Sequence, residues 1–392
     1  MSTDLAPGAN LAALRKERGW SQVKLAKQAN ISVSLLSKIE VGDRTLTPAV
    51  AAAVGKPMGL SMAEVLGKTE VGREGKRPLA DLRAALRDYD LPDRVTVKEQ
   101  KLSAEMGTAD AYRKKADVSK LLMVLPKLLR DATTNAYTVN TAESWMVLAD
   151  VYSTVYWLAA RHRWMDMAEL AVTRQRWAVE QQPNPLGMAV AARDRAGTYL
   201  NFGDIERGLT LVDRAIADAQ QRLGSTERDI AVCILNLRGM TLAGRLKDKK
   251  EAKREAERHI RSALATSQDM SRELDVHGLT VGPQNTFTHR LATYVDLGRP
   301  REALALADDL SVALAGMPPT RVAPTYINAA RAQLDIGDRD AALESLSIAW
   351  EVAPQFARIH PMGREVFRVV SSLHRRSNPE LLRLSKLSGI KV

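Results

Sequence analysis

A chain of 392 residues is too long for one compact core of ordinary size, so two units, or one small unit with an extended array, are expected. Aromatic residues make up only 5%, with four Phe, and β-branched or aromatic runs are nearly absent, which argues against a β-rich fold and predicts an all-α chain. A net charge of +11 and a pI of about 9.7 favour polyanionic partners. The single cysteine, Cys233, leaves no disulfide framework and no cysteine cluster for zinc, as expected of a reducing cytoplasm. The opening MSTDLAPGA lacks a basic stretch followed by an apolar one, and no segment approaches eighteen uninterrupted apolar residues, so a cytoplasmic protein without membrane spans is expected.

In chain order, Leu11, Leu14 and Trp20 frame a first helix over 10–18, stopped by Gly19. Ser21 caps a second over 22–28, whose Val23, Leu25 and Ala26 can face a core, and Asn30 suits a left-handed turn. Ser32 caps a third over 33–40, with Leu35, Leu36 and Ile39 as its buried stripe, Ser34, Ser37 and Lys38 outward, and Gly42 as its end. Thr47 caps a fourth with Pro48 in its first turn, and Ser61-Met-Ala-Glu64 forms a capping box for a short fifth.

The run GWSQVKLAKQANISVSLLSKIEVGDR, with small Ala26, turn Asn30, Ile31 and the Ile39-Glu40-x-Gly42 ending, resembles the Xre/Cro family of helix-turn-helix proteins over residues 10–66. That resemblance implies double-stranded DNA as a partner, the second helix against the backbone and the third in the major groove. By position, Gln22 would contact phosphate, Ser32, Val33, Ser34, Ser37 and Lys38 would lie at or near the bases, and Arg44 and Thr45 would hold phosphates. Arg15 and Glu40 match a family ion pair between the first and third helices. The reading face lacks Arg, Asn and Gln for bidentate base contacts, so the operator is not legible, and dimerisation with half-sites about 34 to 36 Å apart gains importance.

Residues 68–78 are rich in glycine and mixed charge and read as a flexible linker between a DNA-binding domain at 1–67 and a helical array at 79–392. Leu79 to Tyr89 is amphipathic, and Ala109 to Ala132 is a long helical pattern that Pro126 should kink or split near Leu125. A repeat then emerges. Tyr199, Gly203, Gly208, Val212 and Ala215 align with Tyr294, Gly298, Ala303, Ala307 and Leu310, and a third copy runs from Ala330 through Gly337, Ala342, Leu346 and Ala349 to Pro354. Weaker copies lie at 164–183 and 239–263, the latter with a charged insertion, KDKKEAKRE. The segments 360–374 and 380–387 read as a long and a short helix capping the array, with Arg375 and Arg376 on its solvated side.

These copies resemble tetratricopeptide repeats, with turns at Arg163, Gly203, Gly244, Gly298 and Gly337. The resemblance implies an α-solenoid whose first helices line a concave groove. Counting from the small residues, Arg193, Asn201, Asn236, Asn285, His289, Asn328 and Arg331 face that groove, where a peptide or small molecule could bind. The whole layout resembles actinobacterial Xre regulators with such tails and the peptide-pheromone receptor regulators of Gram-positive bacteria, which implies a homodimeric, signal-sensing transcriptional regulator.

No phosphate-binding loop, dinucleotide fingerprint or nucleophile elbow occurs, and His162, His259, His277, His289, His360 and His374 show no zinc-site spacing, so no enzyme, metal or cofactor is expected. Cys233 within AVCILNL and the tryptophans Trp145, Trp157, Trp164 and Trp177 read as packing, with a groove-lining Trp as the alternative. Two functions remain open: a ligand-responsive regulator, or a scaffold whose solenoid grips a protein that the head tethers to DNA.

Overall fold

The computed structural model describes residues 6–67, 73–94, 98–373 and 378–388. The first five helices are α1 (Pro7–Glu17), α2 (Gln22–Ala29), α3 (Val33–Val41), α4 (Pro48–Met58) and α5 (Met62–Leu66). Each start from α2 onward is fixed by a short polar side chain: Ser21, Ser32, Thr47 and Ser61 accept the N–H of Lys24, Leu35, Val50 and Glu64. Asn30 and Gly42 end α2 and α3 in left-handed geometry, at φ 54° and 93°. Leu11, Leu25, Leu36, Ile39, Leu46 and Val54 form a core with no exposed surface. Val23, expected to face it, is 62% exposed, because the α2 stripe runs through Leu25, Ala26 and Ala29 and leaves Val23 outside. Close approach also matters: a Cβ at Gly8 would stand 2.0 Å from the Ile39 carbonyl oxygen.

The remaining elements are α6 (Arg73–Arg87), α7 (Glu99–Lys114), α8 (Val118–Val139), α9 (Ala142–His162), α10 (Met165–Glu180), α11 (Pro185–Phe202), α12 (Ile205–Arg222), α13 (Ser225–Ala243) and α14 (Lys249–Ser267). A hairpin, β1 (Leu274–Val276) with β2 (Leu279–Val281), interrupts the helices, its strands antiparallel with Asp275 opposite Thr280. There follow α15 (Pro283–Asp296), α16 (Pro300–Leu304), α17 (Leu310–Ala313), α18 (Pro319–Asp335), α19 (Arg339–Val352), α20 (Pro354–Ile359), α21 (Pro361–Leu373) and α22 (Pro379–Ser388). None of the described helices is long and apolar enough to cross a membrane.

Several expectations change. Residues 68–72 of the expected linker lie outside the described residues, and from Arg73 onward its remainder is already helical. Pro126 sits inside an unbroken α8, where losing one N–H is offset by packing of Leu121, Leu122, Leu125, Leu128 and Leu129 on one buried face. The break comes earlier, where Ala116 turns left-handed at φ 58° and the Asp117 carboxylate accepts the Lys120 N–H. The stretch KDKKEAKRE is not an insertion but the capped start of α14, with Asp248 accepting the Glu251 N–H. In the copy beginning at Tyr294 the second helix is broken into α16 and α17, because Asp309 accepts the N–H groups of Ser311 and Val312 and restarts the chain there. A separate short helix, α20, precedes the C-terminal pair of the long α21 and the shorter α22, and Arg375 and Arg376 lie outside the described residues.

The hairpin was not anticipated. Its signal was the His277-Gly278 pair, both at positive φ, between alternating apolar Leu274, Val276, Leu279 and Val281. His277 Nδ1 reaches Asp150 on α9 at 3.1 Å and so ties the hairpin to the array.

The turns at Arg163, Gly203, Gly298 and Gly337 are left-handed as repeat turns require, while Gly244 stays right-handed at φ −58°. Paired helices stack in sequence, but the array does not remain open. It curls until α20 meets α8 and α9, so that one buried core joins Leu121, Trp157 and Met167 to Trp350, Phe356 and Phe367. Trp157 stacks near Phe356 with ring centroids 6.4 Å apart, and the Gln355 side chain accepts the Ser119 N–H at 3.0 Å and donates to Asp117 at 3.2 Å. The expected open groove therefore becomes a partly enclosed cavity.

Candidate reading helix and solenoid cavity

In the head, the side of α3 that faces away from Leu36 and Ile39 is open: Ser32, Ser34 and Lys38 are exposed, Val33 is 39% exposed and Ser37 is half-buried. The Ser32 hydroxyl is committed to the Leu35 N–H at 3.1 Å, which makes it a cap first. Arg44 is exposed and Thr45 half-buried in the loop after α3. The helix is anchored from behind by a fork in which Arg15 donates to both Glu40 oxygens at 2.6 and 2.7 Å and to the Trp20 carbonyl at 2.6 Å. Burial pushes the Glu40 carboxyl up, but the hydrogen bonds from Arg15 and Gln22 outweigh burial and hold it below its ordinary value. Gln22 was expected at a phosphate; one N–H of its amide donates to Glu40 at 2.8 Å, which leaves the second N–H and the carbonyl oxygen for other work.

The head rests on the ring. The Leu46 N–H donates to Glu365 of α21 at 3.1 Å in a buried contact, Lys56 pairs with Asp204 at 2.7 Å, and Arg44 faces Asp335 at 3.7 Å. The left-handed turn at Gly203 brings its backbone against Ala52 of α4. These contacts use α4, α5 and the loop after α3, and they leave the open side of α3 in solvent.

Beneath the head lies a cavity of about 290 Å³, with Pro48 and Met62 forming one wall. Five of the expected groove residues line it: Arg193, Asn201, His289, Asn328 and Arg331. Asn236 and Asn285 do not. Asn236 bonds His259 Nδ1 at 2.8 Å and donates to the Val232 carbonyl, so it faces α14. Asn285 donates to the Thr280 carbonyl at 2.7 Å and holds the hairpin. Two residues along a helix is about 200° of rotation, so Asn236 and Arg238 point to opposite sides of α13, and Arg238 is the one in the cavity.

The lining holds seven arginines and one aspartate. Arg113, Arg161, Arg238, Arg245 and Arg321, together with His360, escaped the sequence reading. The available signal was an arginine on nearly every first helix, on the side away from its pairing partner. Asp296 is held below its ordinary value: burial pushes it up, but Arg331 and Arg245, at 2.8 and 3.2 Å, outweigh burial. Burial and the surrounding arginines push Arg321 down to about 9 and hold His360 near 3, and burial lowers Arg161 to about 10. Trp157 lines the same space, while Trp145, Trp164 and Trp177 pack elsewhere in the array. Cys233 is fully buried, and burial raises its thiol to about 11. Among the described residues no three of His, Cys, Asp and Glu gather where a metal ion could sit.

No curated protein matches the chain. Among solved structures, BtubC (BKLC) from P. vanneervenii is similar at 16% identity, covering 64% of this chain and 90% of that one with a TM-score of 0.36. A mutant of PrgX is similar at 10% identity over 97% of this chain and 100% of the other, TM-score 0.25. The TPR domain of P58(IPK) is similar at 13% identity over 93% of each chain, TM-score 0.25. Residues 11–65 match the helix-turn-helix family model, over the same five helices that the caps and core delimit, and this segment is a helix-turn-helix domain.

Proposed function

We propose that the chain is a sequence-specific DNA-binding transcriptional regulator, acting as a homodimer, whose helical array senses a small molecule and alters how the head is presented to its operator. The observation that carries the first part is the open side of α3, with Val33, Ser34 and Lys38 in solvent and Ser37 half-exposed beside them, anchored from behind by the buried Arg15–Glu40 fork. Lys38 can bond guanine and Val33 can touch a thymine methyl, while the serines discriminate weakly, so pairing of two heads would supply the missing specificity. The array supports the second part: a partly enclosed space of about 290 Å³ suits a small ligand better than a protein partner, which favours sensing over scaffolding. A ligand that prefers one head position about 100-fold would supply about 2.7 kcal/mol, enough to shift operator occupancy.

The test is selection of bound duplexes from a random library by the full chain at low salt. Enrichment of two half-sites about one helical turn apart is expected. Lys38→Ala should weaken binding to the selected duplex about tenfold with unchanged melting. No enrichment of any duplex would overturn the reading.

A further inference from the structure

Four of the cavity arginines, Arg113 buried and the other three half-buried, lack a counter-charge. Arg113 on α7, Arg161 on α9, Arg238 on α13 and Arg321 on α18 converge on one space, and none of them forms an ion pair among the described residues. The Nε atoms of Arg161 and Arg321 are buried with no hydrogen-bond partner at all. Arg161 lies over the rings of Trp157 and Phe356, at 5.3 and 5.5 Å, and Arg238 spends its Nε on the Arg193 carbonyl at 3.1 Å.

Asp296 and Asp194 are already engaged, while Asp150, whose charge acts on Arg113, gives one oxygen to His277 and has no hydrogen bond at the other. Both oxygens of Asp296 are taken by Arg245 and Arg331. Asp194 is taken by Arg193, Ser153 and Gln175, at 2.5, 2.7 and 3.2 Å. Burial and the neighbouring guanidinium groups lower Arg321, and the same causes lower Arg238. Crowding like charges that are partly withdrawn from water, without a counter-charge, is unfavourable, and folded chains keep such arrangements where a ligand supplies the missing charge.

The donor set also says what kind of anion fits. An extended peptide needs acceptors as well as donors, and this lining is dominated by guanidinium donors. Guanidinium forks match phosphate oxygens two at a time, and four of them exceed what a single carboxylate could satisfy. Duplex DNA cannot enter a space walled by Pro48 and Met62.

We infer that this cavity binds a compact polyphosphate anion, a small molecule carrying two or more linked phosphates, through Arg113, Arg161, Arg238 and Arg321. This deepens the sensing half of the proposed function and does not depend on DNA binding. Because two head residues wall the site, occupancy and head docking are coupled through Pro48 and Met62.

The experiment is calorimetric titration of the full chain with pyrophosphate, tripolyphosphate, ATP and GTP, with sulfate at matched ionic strength as control. One site per chain is expected, at least about tenfold tighter for tripolyphosphate than for sulfate. Nucleotides binding more tightly than the inorganic anions would identify a nucleotide as the source, and equal binding would mean that the linked phosphates alone are read. Arg161→Gln and Arg321→Gln should each weaken binding about tenfold or more while leaving the melting temperature of the ligand-free chain unchanged or raised. A merely structural arginine would lower that temperature, so lost affinity together with lowered melting in both variants would overturn the inference. So would phosphates binding no better than sulfate, or affinity unchanged in both variants. Phosphate binding by a chain that selects no duplex would leave the site standing and remove only the DNA reading.

Discussion

In the head, Arg15 is buried against Glu40, with each carboxylate oxygen engaged and the Trp20 carbonyl taking a third N–H. In the array, Arg161 and Arg321 are half-buried, and have neither a carboxylate partner nor an acceptor at Nε. The same side chain thus serves two ends. Where its charge is matched from within the chain it fixes the angle between α1 and α3, and where the charge is left unmatched it defines a place for something else. The contrast leaves the arginine of the head fully matched within the chain and those of the ring unmatched.

The largest effect should come from breaking the matched side. Glu40→Ala leaves Arg15 buried and uncompensated and frees the Gln22 amide, which should destabilise the head by about 3–5 kcal/mol. Hydrogen exchange would show the amides of α1 to α3 losing protection while those of α9 to α13 keep theirs. Equal loss in both regions would mean that head and ring unfold as one unit.

Acid should act on the other side of the comparison, because every histidine of the chain lies beyond the head. Burial holds His162 and His259 down to about 4 and His360 to about 3, with the charges of Arg163, Arg258 and Arg161 adding to it. The unfolded chain therefore takes up protons that the folded ring refuses. The stability from these groups is complete above an unfolded value of about 6.5 and is lost as pH falls toward 4, by at most about 1.4 kcal/mol per pH unit for each histidine. For His277, burial lowers the imidazole but the hydrogen bond to Asp150 outweighs it, so this group works in the opposite direction and reduces the sum. Melting followed between pH 7.5 and 5 should fall for the ring with little change in the head; a flat profile would show that the buried imidazoles are hydrated.

The two regions also differed in how much of them could be read beforehand. The head is governed by interactions within a few residues: Ser21, Ser32, Thr47 and Ser61 cap what their positions imply, and Asn30 and Gly42 turn where expected. The ring is governed by distant contacts. Nothing local to Gln355 announces that it will meet Ser119 and Asp117, and without that closure a groove is expected where a cavity forms. The repeat turns were legible because Gly203, Gly298 and Gly337 recur at matching places, and Arg193, Asn201, His289, Asn328 and Arg331 were placed by counting from them. Arg161, Arg238 and Arg321 were not, since each is one solvated-looking arginine until curvature brings them together. Asn236 was misplaced by two residues' worth of helical rotation.

The smallest expected effect lies at the boundary between the regions, and it separates two ways in which the ring could influence the head. Arg44, a candidate phosphate contact, faces Asp335 of α18 at 3.7 Å with both side chains largely in solvent, so the pair is worth about 0–1 kcal/mol. Asp335→Asn should release Arg44 and tighten binding of the selected duplex by at most about fivefold, with the gain fading as salt rises. Asp204→Asn provides the comparison: it removes the exposed pair with Lys56, which lies on α4 away from the open side of α3. If both variants tighten DNA binding equally, the strength of docking governs the head and the availability of Arg44 does not. If only Asp335→Asn does, the ring acts on a single phosphate contact. If neither does, the docked head already has the pose that DNA selects, and a ligand in the cavity would have to act by moving the head as a body.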